Sequence, residues 1–416
     1  MYTEIKQCRI CGNTNLISVV NLGNQYLTGV FPKSITQQIT SGPLELVKCH
    51  EDRDGNTCGL VQLKHSYDHN EMYGENYGYR SGINKSMVNH LHDKVKKIQA
   101  FTQLTREDLI IDIGSNDSTL LQAYRQDGLL LVGIDPTGEK FKKYYPEHVH
   151  LIPDFFSAES VRKNFGNRKA KVVTSIAMFY DLESPVDFAR QINDILADDG
   201  IWVFEQSYMP TMLEMNAYDT ICHEHLEYYC LKQIKWITDK AGLKIIDIEF
   251  NKINGGSFSV IAAKPNSPFN ENAELIEKVL LEESQRGLHT LIPYEEFKQR
   301  VLNHRAELHE FIKKTKDENK KIFGYGASTK GNVVLQFCDI SEKDIHCIAE
   351  VNSDKFGCYT PGTNIPIVSE EEAKKMKPDY FMVLPWHFRD NIMEREKNYL
   401  DSGGKLLFPL PFLEVV

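Results

Sequence analysis

The chain reads as an α/β protein in three parts: a small N-terminal zinc-binding domain, a central Rossmann-like domain and a C-terminal Rossmann-like α/β domain. Three observations predict this. The run LIIDIGSND followed by LLLVGIDPT is an apolar strand, a glycine turn and a second apolar strand, the signature of a buried parallel sheet. The run KKIFGYGASTKGN repeats that pattern two hundred residues later, and two cysteine pairs precede both. At 416 residues the chain exceeds what one core supports, and the pattern changes divide it at 1–70, 71–266 and 267–416.

Composition narrows the function classes. With 41% apolar and 25% charged residues the chain is of ordinary soluble type, and 48 basic against 58 acidic side chains give a net charge of −10. That balance disfavours a nucleic-acid phosphate backbone as partner. No apolar run approaches the roughly 20 residues that span a bilayer, and MYTEIKQCRI lacks a signal-peptide core, so no membrane partner and a cytoplasmic location are expected. Cys222, Cys230, Cys338, Cys347 and Cys358 stand singly, as reduced core thiols do. Composition is compatible with a monomer and with a homodimer.

The N-terminal elements follow from cysteine spacing. Cys8 and Cys11 in CRICG form a knuckle that presents two thiolates to one tetrahedral zinc, the glycine permitting the turn beneath the metal. Cys49 and Cys58 are separated by eight residues where two are usual; either a loop has grown inside the second knuckle or His50 replaces one sulfur. Four thiolates close the coordination shell, which makes the zinc structural, a staple for a segment with little core of its own.

In the central part, Leu109–Tyr124 is expected to be a strand that reaches Asp112 and Gly114 and continues as a helix. Leu129–Thr137 is the next strand and ends in Asp135 and Pro136, where an acid about twenty residues after the loop grips a ribose diol. Asn116 and Ser118 stand where a dinucleotide fingerprint needs glycines, which weakens a pyrophosphate ligand, and Ser115 and Asn116 join the candidate cofactor-binding residues. The loop suits S-adenosylmethionine, whose methionine and adenosine ask for no such approach. PDFF offers Asp154, Phe155 and Phe156 to an adenine, the alternative being that these rings are core. KVVTSIAMFYDL and GIWVFEQ read as later strands, and INGGSFSV as a late hairpin.

The segment YDTICHEHLEYY concentrates Asp219, His223, Glu224 and His225 within seven positions of an apolar-aromatic stretch. Imidazoles titrate near neutral pH and a carboxylate fixes their tautomer, which suits proton transfer. The order His-Glu-His puts the two rings on opposite sides of a helix, against a helical zinc site. The alternative is a hydrogen-bonded loop without chemistry.

Glu271–Lys320 has helical spacing of Glu, Lys and Leu and reads as exposed connecting helices. In the second βα unit, Gly324, Gly326 and Gly331 form the turn, and Ser328, Thr329, Lys330 and Asn332 open the helix as a phosphate site. The order around Lys330 is not that of a nucleoside-triphosphatase loop. DYFMVLPWHF is a further strand ending in Trp386 and His387, and KLLFPLP the last.

Cys8-x2-Cys11, CGLVQL, YGYRSG, DIGSND, HEHLEYY, GYGASTKGN and PGTNIP, in that order, resemble the three-domain sugar C-methyltransferases that act on nucleotide-linked deoxysugars. The resemblance covers nearly the whole chain. It implies a class I methyltransferase domain with S-adenosylmethionine as cofactor, a structural zinc, a nucleotide-sugar substrate, and a C-terminal domain that holds the nucleotide. It places the His-Glu-His segment beside the sulfonium, with His225 taking a proton from the carbon next to a 4-keto group and Glu224 orienting it or contacting the sugar. It also implies an aromatic lid at MYGENYGYRSG, where Tyr77 or Tyr79 either donates to an enolate or anchors the linker, beside Arg80. Two departures stand out: Cys222 replaces a Tyr, and Met178 or Phe179 stands where a His is expected. Methyl transfer survives these losses better than a given carbon specificity, and oxygen methylation is the second reading. A zinc-ribbon nucleotide-binding protein without chemistry is the third; Glu51, Asp52 and Asp54 beside Lys48 and Arg53 argue against its nucleic-acid form.

Overall fold

The computed structural model describes residues 2–50, 57–72 and 79–416, which leaves Tyr77 outside the described residues. Among the described residues three larger sheets organise the chain, beside a two-stranded pair of Tyr2–Glu4 with His65–Tyr67. The N-terminal sheet is antiparallel, with Leu16–Tyr26 and Ser41–Cys49 as its long strands and Val61–Leu63 beside them. Its fourth strand is Glu227–Tyr228, contributed by the tail of the His-Glu-His segment and paired to Val61–Leu63. That pairing ties the two parts of the chain through main-chain hydrogen bonds.

The central sheet has seven strands. Counted along the chain they are Leu109–Ile113, Leu130–Ile134, Val149–Ile152, Ala170–Ile176, Leu196–Ser207, Lys244–Asn251 and Ser257–Ala263, and in space they run 3-2-1-4-5-7-6. Five are parallel and the last pair is an antiparallel hairpin. The first strand is buried at every position, because both faces are covered, which is why it reads as a continuous apolar run. The order reverses between Leu109–Ile113 and Ala170–Ile176, and a crevice opens there beyond the carboxyl ends of the strands.

The helix expected after Gly114 does not form. Gly114, Asn116 and Ser118 have φ of +73°, +48° and +67°, and only a single 3-10 turn at Leu121–Ala123 follows. Alternating left-handed residues cannot nucleate an α-helix. Side chains fix the turn instead: Asp117 accepts from the Gly82 N–H at 2.9 Å and Asn116 from the Ser81 N–H at 3.0 Å.

The C-terminal sheet has Ile322–Tyr325, Ile348–Glu350, Ile367–Ser369, Tyr380–Val383 and Lys405–Phe408 in parallel and ends on antiparallel Glu414–Val415; its spatial order is 3-2-1-4-5-6. The connecting helices, read from the sequence as exposed, are not merely spacers. Ile292–Asp317 buries Tyr294, Phe297, Val301, His304, Leu308 and Ile312, a stripe at three- and four-residue spacing. Each large apolar side chain in it is worth about 1.5–3 kcal/mol of burial. The Tyr218 hydroxyl also meets His304 Nδ1 at 3.1 Å, which locks this helix to the start of the His-Glu-His segment.

Candidate active site and metal centre

The four N-terminal cysteines converge. Their Sγ atoms all lie within 4.8 Å of one another, with Cys8 to Cys58 and Cys11 to Cys49 each at 3.5 Å. Zinc–sulfur bonds of about 2.3 Å in a tetrahedron need sulfurs about 3.8 Å apart, so the cluster fits zinc and leaves no open ligand position. His50 takes no part in it. Gly12, at φ +76°, turns the first knuckle, and the Asn13 amide donates to Cys49 Sγ at 3.3 Å.

The knuckle reaches toward the His-Glu-His segment. Arg9, between the first two cysteines, donates to the Leu63 carbonyl at 2.6 Å and lies 3.7 Å from the buried Glu227 carboxylate. The Cys58 carbonyl accepts from Gln233 at 2.7 Å, and Gln233 accepts in turn from the Cys230 N–H. A zinc ion held by the four thiolates would thereby brace the contacts made with Glu227 and Gln233.

A cleft of about 980 Å³ lies where the three parts meet. One end is the crevice of the central sheet, lined by Asp112, Gly114, Ser115, Asn116, Asp135, Pro136, Phe155 and Phe156. Asp112 is buried and accepts from the Thr174 hydroxyl at 2.5 Å; burial, with Asp135 nearby, pushes its carboxyl up to about 7 against the Thr174 bond. Asp135 accepts from the Asn116 N–H at 2.7 Å through one oxygen and from the Thr137 N–H and hydroxyl through the other. A Cβ on Gly114 would stand 3.0 Å from Met178 Cγ, so the missing side chain keeps this turn open. Asp154 is exposed and does not line the cleft.

Gln206 was not singled out by the sequence. It lines the cleft at the end of the fifth strand, and both its amide atoms are buried without a partner. An orphaned amide in a cleft wall is a group waiting for a polar ligand. The strand-end position of GIWVFEQ was the available signal.

The middle of the cleft carries Tyr180, Cys222, Glu224 and His225. His225 Nδ1 lies 2.9 Å from the Thr220 carbonyl. A carbonyl only accepts, so Nδ1 carries the hydrogen and Nε2 keeps its lone pair. Burial, reinforced by the Lys330 ammonium, pushes the imidazole down to about 3, which keeps it neutral near pH 7. Its ring packs on Tyr180 at 4.2 Å. Burial raises the Glu224 carboxyl and also holds the Cys222 thiol protonated. His223 points elsewhere: it is fully buried, stacks edge-on to Tyr67 at 4.6 Å and does not line the cleft.

The other end is formed by Ser328, Thr329, Lys330 and His387 with Gly326, Glu350 and Asn352. The turn expected to hold phosphate gives its Ala327 N–H to Glu350 at 2.8 Å, and Ser328 caps its own helix at Gly331. Asn332 is fully buried and donates to the Thr28 carbonyl, joining the N-terminal and C-terminal parts. Trp386 is buried behind the cleft and donates to Asp219 at 2.8 Å. At the rim, Tyr79 and Arg80 line the cleft; Arg80 is committed to Tyr144 and to Asp117.

Comparison with known proteins gives this architecture its family. A C-methyltransferase C-terminal domain model matches residues 252–411, a zinc binding domain model residues 8–73 and a methyltransferase domain model residues 87–248. The C-methyltransferase NovU of Streptomyces niveus is 30% identical over 416 residues, which is 99% of this chain and 97% of NovU. The chain belongs to the C-methyltransferase family. The protein is thus an S-adenosylmethionine-dependent methyltransferase with a zinc-binding N-terminal domain. Among solved structures, a methyltransferase from Clostridium acetobutylicum is similar at 10% identity, over 42% of this chain and 92% of its own, with a TM-score of 0.33. The CcbJ methyltransferase of Streptomyces caelestis is similar at 11% identity, over 42% and 89%, also with a TM-score of 0.33. No helix among the described residues is long and apolar enough to cross a membrane.

Proposed function

We propose that this methyltransferase methylates a ring carbon next to the ketone of a nucleotide-linked deoxysugar, with His225 as the base. The observation that carries the reading is a neutral imidazole lining the cleft, its Nδ1 hydrogen fixed by the Thr220 carbonyl so that Nε2 keeps its lone pair. A C–H beside a carbonyl is weakly acidic, so a positioned neutral base is what carbon methylation requires. Asp112, Asp135 and the turn at Gly114–Asn116 hold the adenosine, the Gln206 amide meets the methionine end, and Phe155 and Phe156 cover the base. S-adenosylmethionine, when bound, supplies an electrophilic methyl group. Glu224, beside His225 in the cleft wall, contacts the sugar, and the Gly326–Asn352 end takes the nucleotide.

Oxygen methylation is the second reading, and Cys222 favours it. A buried neutral thiol stands where the resemblance implies a phenol, and Met178 covers Gly114 where an imidazole is implied. Incubation with methyl-labelled S-adenosylmethionine and a panel of nucleotide sugars that includes 4-keto-6-deoxy forms separates the two. Label on ring carbon is the expected result; label on oxygen selects the second reading, and no label on any sugar sinks both. His225→Asn should lower turnover about 10²–10⁴-fold while cofactor affinity stays nearly unchanged.

A further inference from the structure

The helix Thr329–Phe337 starts on a motif that the sequence assigns to phosphate, yet its lysine points elsewhere. Lys330 Nζ donates at 2.9 Å to the carbonyl of Asn254, in the hairpin turn of the methyltransferase sheet. The ammonium therefore crosses from the C-terminal domain into the wall that holds Cys222, Glu224, His225 and His387. No carboxylate among the described residues forms an ion pair with it. Asp219 acts on it only from a distance; its Oδ2 is occupied by the Trp386 indole, and burial favours its neutral form. An ammonium has three N–H donors, and one is used. A part-buried cation with free donors and no ion pair among the described residues is costly to keep unless a ligand brings negative charge to it.

We propose that Lys330 is a catalytic residue that donates to the ketone oxygen and stabilises the enolate formed when His225 takes the neighbouring proton; this rests on the carbon-methylation reading above. The C–H bond breaks, its proton goes to His225 Nε2, its electron pair forms a C=C bond, and the carbonyl π pair moves onto the oxygen that faces Lys330. When the C=C pair bonds to the methyl carbon, the methyl–sulfur pair stays on the departing thioether, the ketone reforms and the charge leaves that oxygen. Two features of the site fit this role. Burial, and after it the same ammonium, depresses the basicity of His225 and His387, so His225 stays unprotonated and ready to act. Cys222 in this wall offers only a weak thiol donor, whereas a charge-assisted donor is roughly twice as strong as a neutral one.

The competing source of negative charge is the nucleotide phosphate, and one experiment separates them. Full-length wild type, Lys330→Met, Lys330→Gln and Lys330→Arg are incubated with a 4-keto-6-deoxy nucleotide sugar in D2O without cofactor. Deuterium uptake beside the ketone is read by mass spectrometry, next to substrate affinity and steady-state turnover. The expected result is exchange and kcat lower by about 10²–10³-fold in Lys330→Met and Lys330→Gln, partial recovery in Lys330→Arg, and substrate affinity within about threefold of wild type. Lys330→Gln keeps a donor for Asn254, so a loss there reports charge rather than packing. Weakened binding with wild-type exchange at saturation makes Lys330 a phosphate ligand and overturns the inference. Unchanged binding and exchange overturn it as well. Wild-type protein that exchanges no proton sinks the ketone reading itself, and the role of Lys330 with it.

Discussion

An alanine at Gly29 would place its Cβ 2.2 Å from Glu224 Oε1, 3.5 Å from its Cδ and 3.7 Å from Thr329 Oγ1. The backbone of Gly29 lies outside the left-handed region, so alanine is allowed there and the conflict is confined to the cleft. An ordinary contact begins at 3.4 Å, so the carboxylate must retreat by about 1.2 Å. Its other oxygen is already buried, which leaves no free direction inward. A displacement of about 1 Å at a reacting site is worth on the order of 10²-fold in rate, and a methyl forced into a packed site destabilises by about 1–3 kcal/mol. Gly29→Ala should therefore lower turnover about 10²-fold, with a folded protein and unchanged affinity for S-adenosylmethionine. The assay is methyl transfer at saturating substrate, with thermal melting and cofactor titration as controls. Glu224→Asp withdraws the carboxylate by one methylene, so adding Gly29→Ala to it should cost much less than in wild type. A folded Gly29→Ala protein that turns over at the wild-type rate would refute the reasoning, because Glu224 would then not be needed where the structure holds it.

Two further outcomes follow from the zinc platform and from a buried imidazole. Cys58→Ser should lose zinc, measured by metal analysis, and speed hydrogen exchange at the Leu63 amide, which donates to the Leu226 carbonyl at 2.8 Å. Turnover should fall with it while cofactor affinity persists; full turnover in zinc-free protein would show that the platform does not position residues 222–230. Burial pushes His223 down to about 3 from an ordinary 6.5, so below pH 6.5 the unfolded chain takes up a proton that the native state refuses until about pH 3. Its stabilising contribution is complete above pH 6.5 and lost as pH falls, by about 2 kcal/mol at pH 5. Urea midpoints measured from pH 7 to pH 5 should fall less steeply in His223→Leu than in wild type, and equal slopes would contradict the assignment.

The fold class was legible because its signals are local. Leu109–Ile113 and Ile322–Tyr325 are buried on both faces and so are written as unbroken apolar runs, and the Cys8–Cys11 spacing is set by the geometry of one tetrahedral ion. Where local pattern and local conformation disagreed, the reading failed. Ser118–Tyr124 has helical spacing, but three left-handed residues leading into it and side-chain bonds to Ser81 and Gly82 hold a turn instead.

What the sequence by itself determined is the set of units: a four-cysteine knuckle, two glycine-turn sheets, and a His-Glu-His segment with unusual density of titratable groups. What only the tertiary structure decided is how they meet. Glu227–Tyr228 completes a sheet that begins more than two hundred residues earlier, Gly29 makes room for Glu224, and Lys330 leaves its own turn to bond Asn254. Spacing along the chain carries no record of such contacts, because each depends on the docking of separately folded surfaces. His223 and His225 make the point at closest range: two positions apart in sequence, one is sealed beside Tyr67 and the other faces the cleft, and the packing around each decided which.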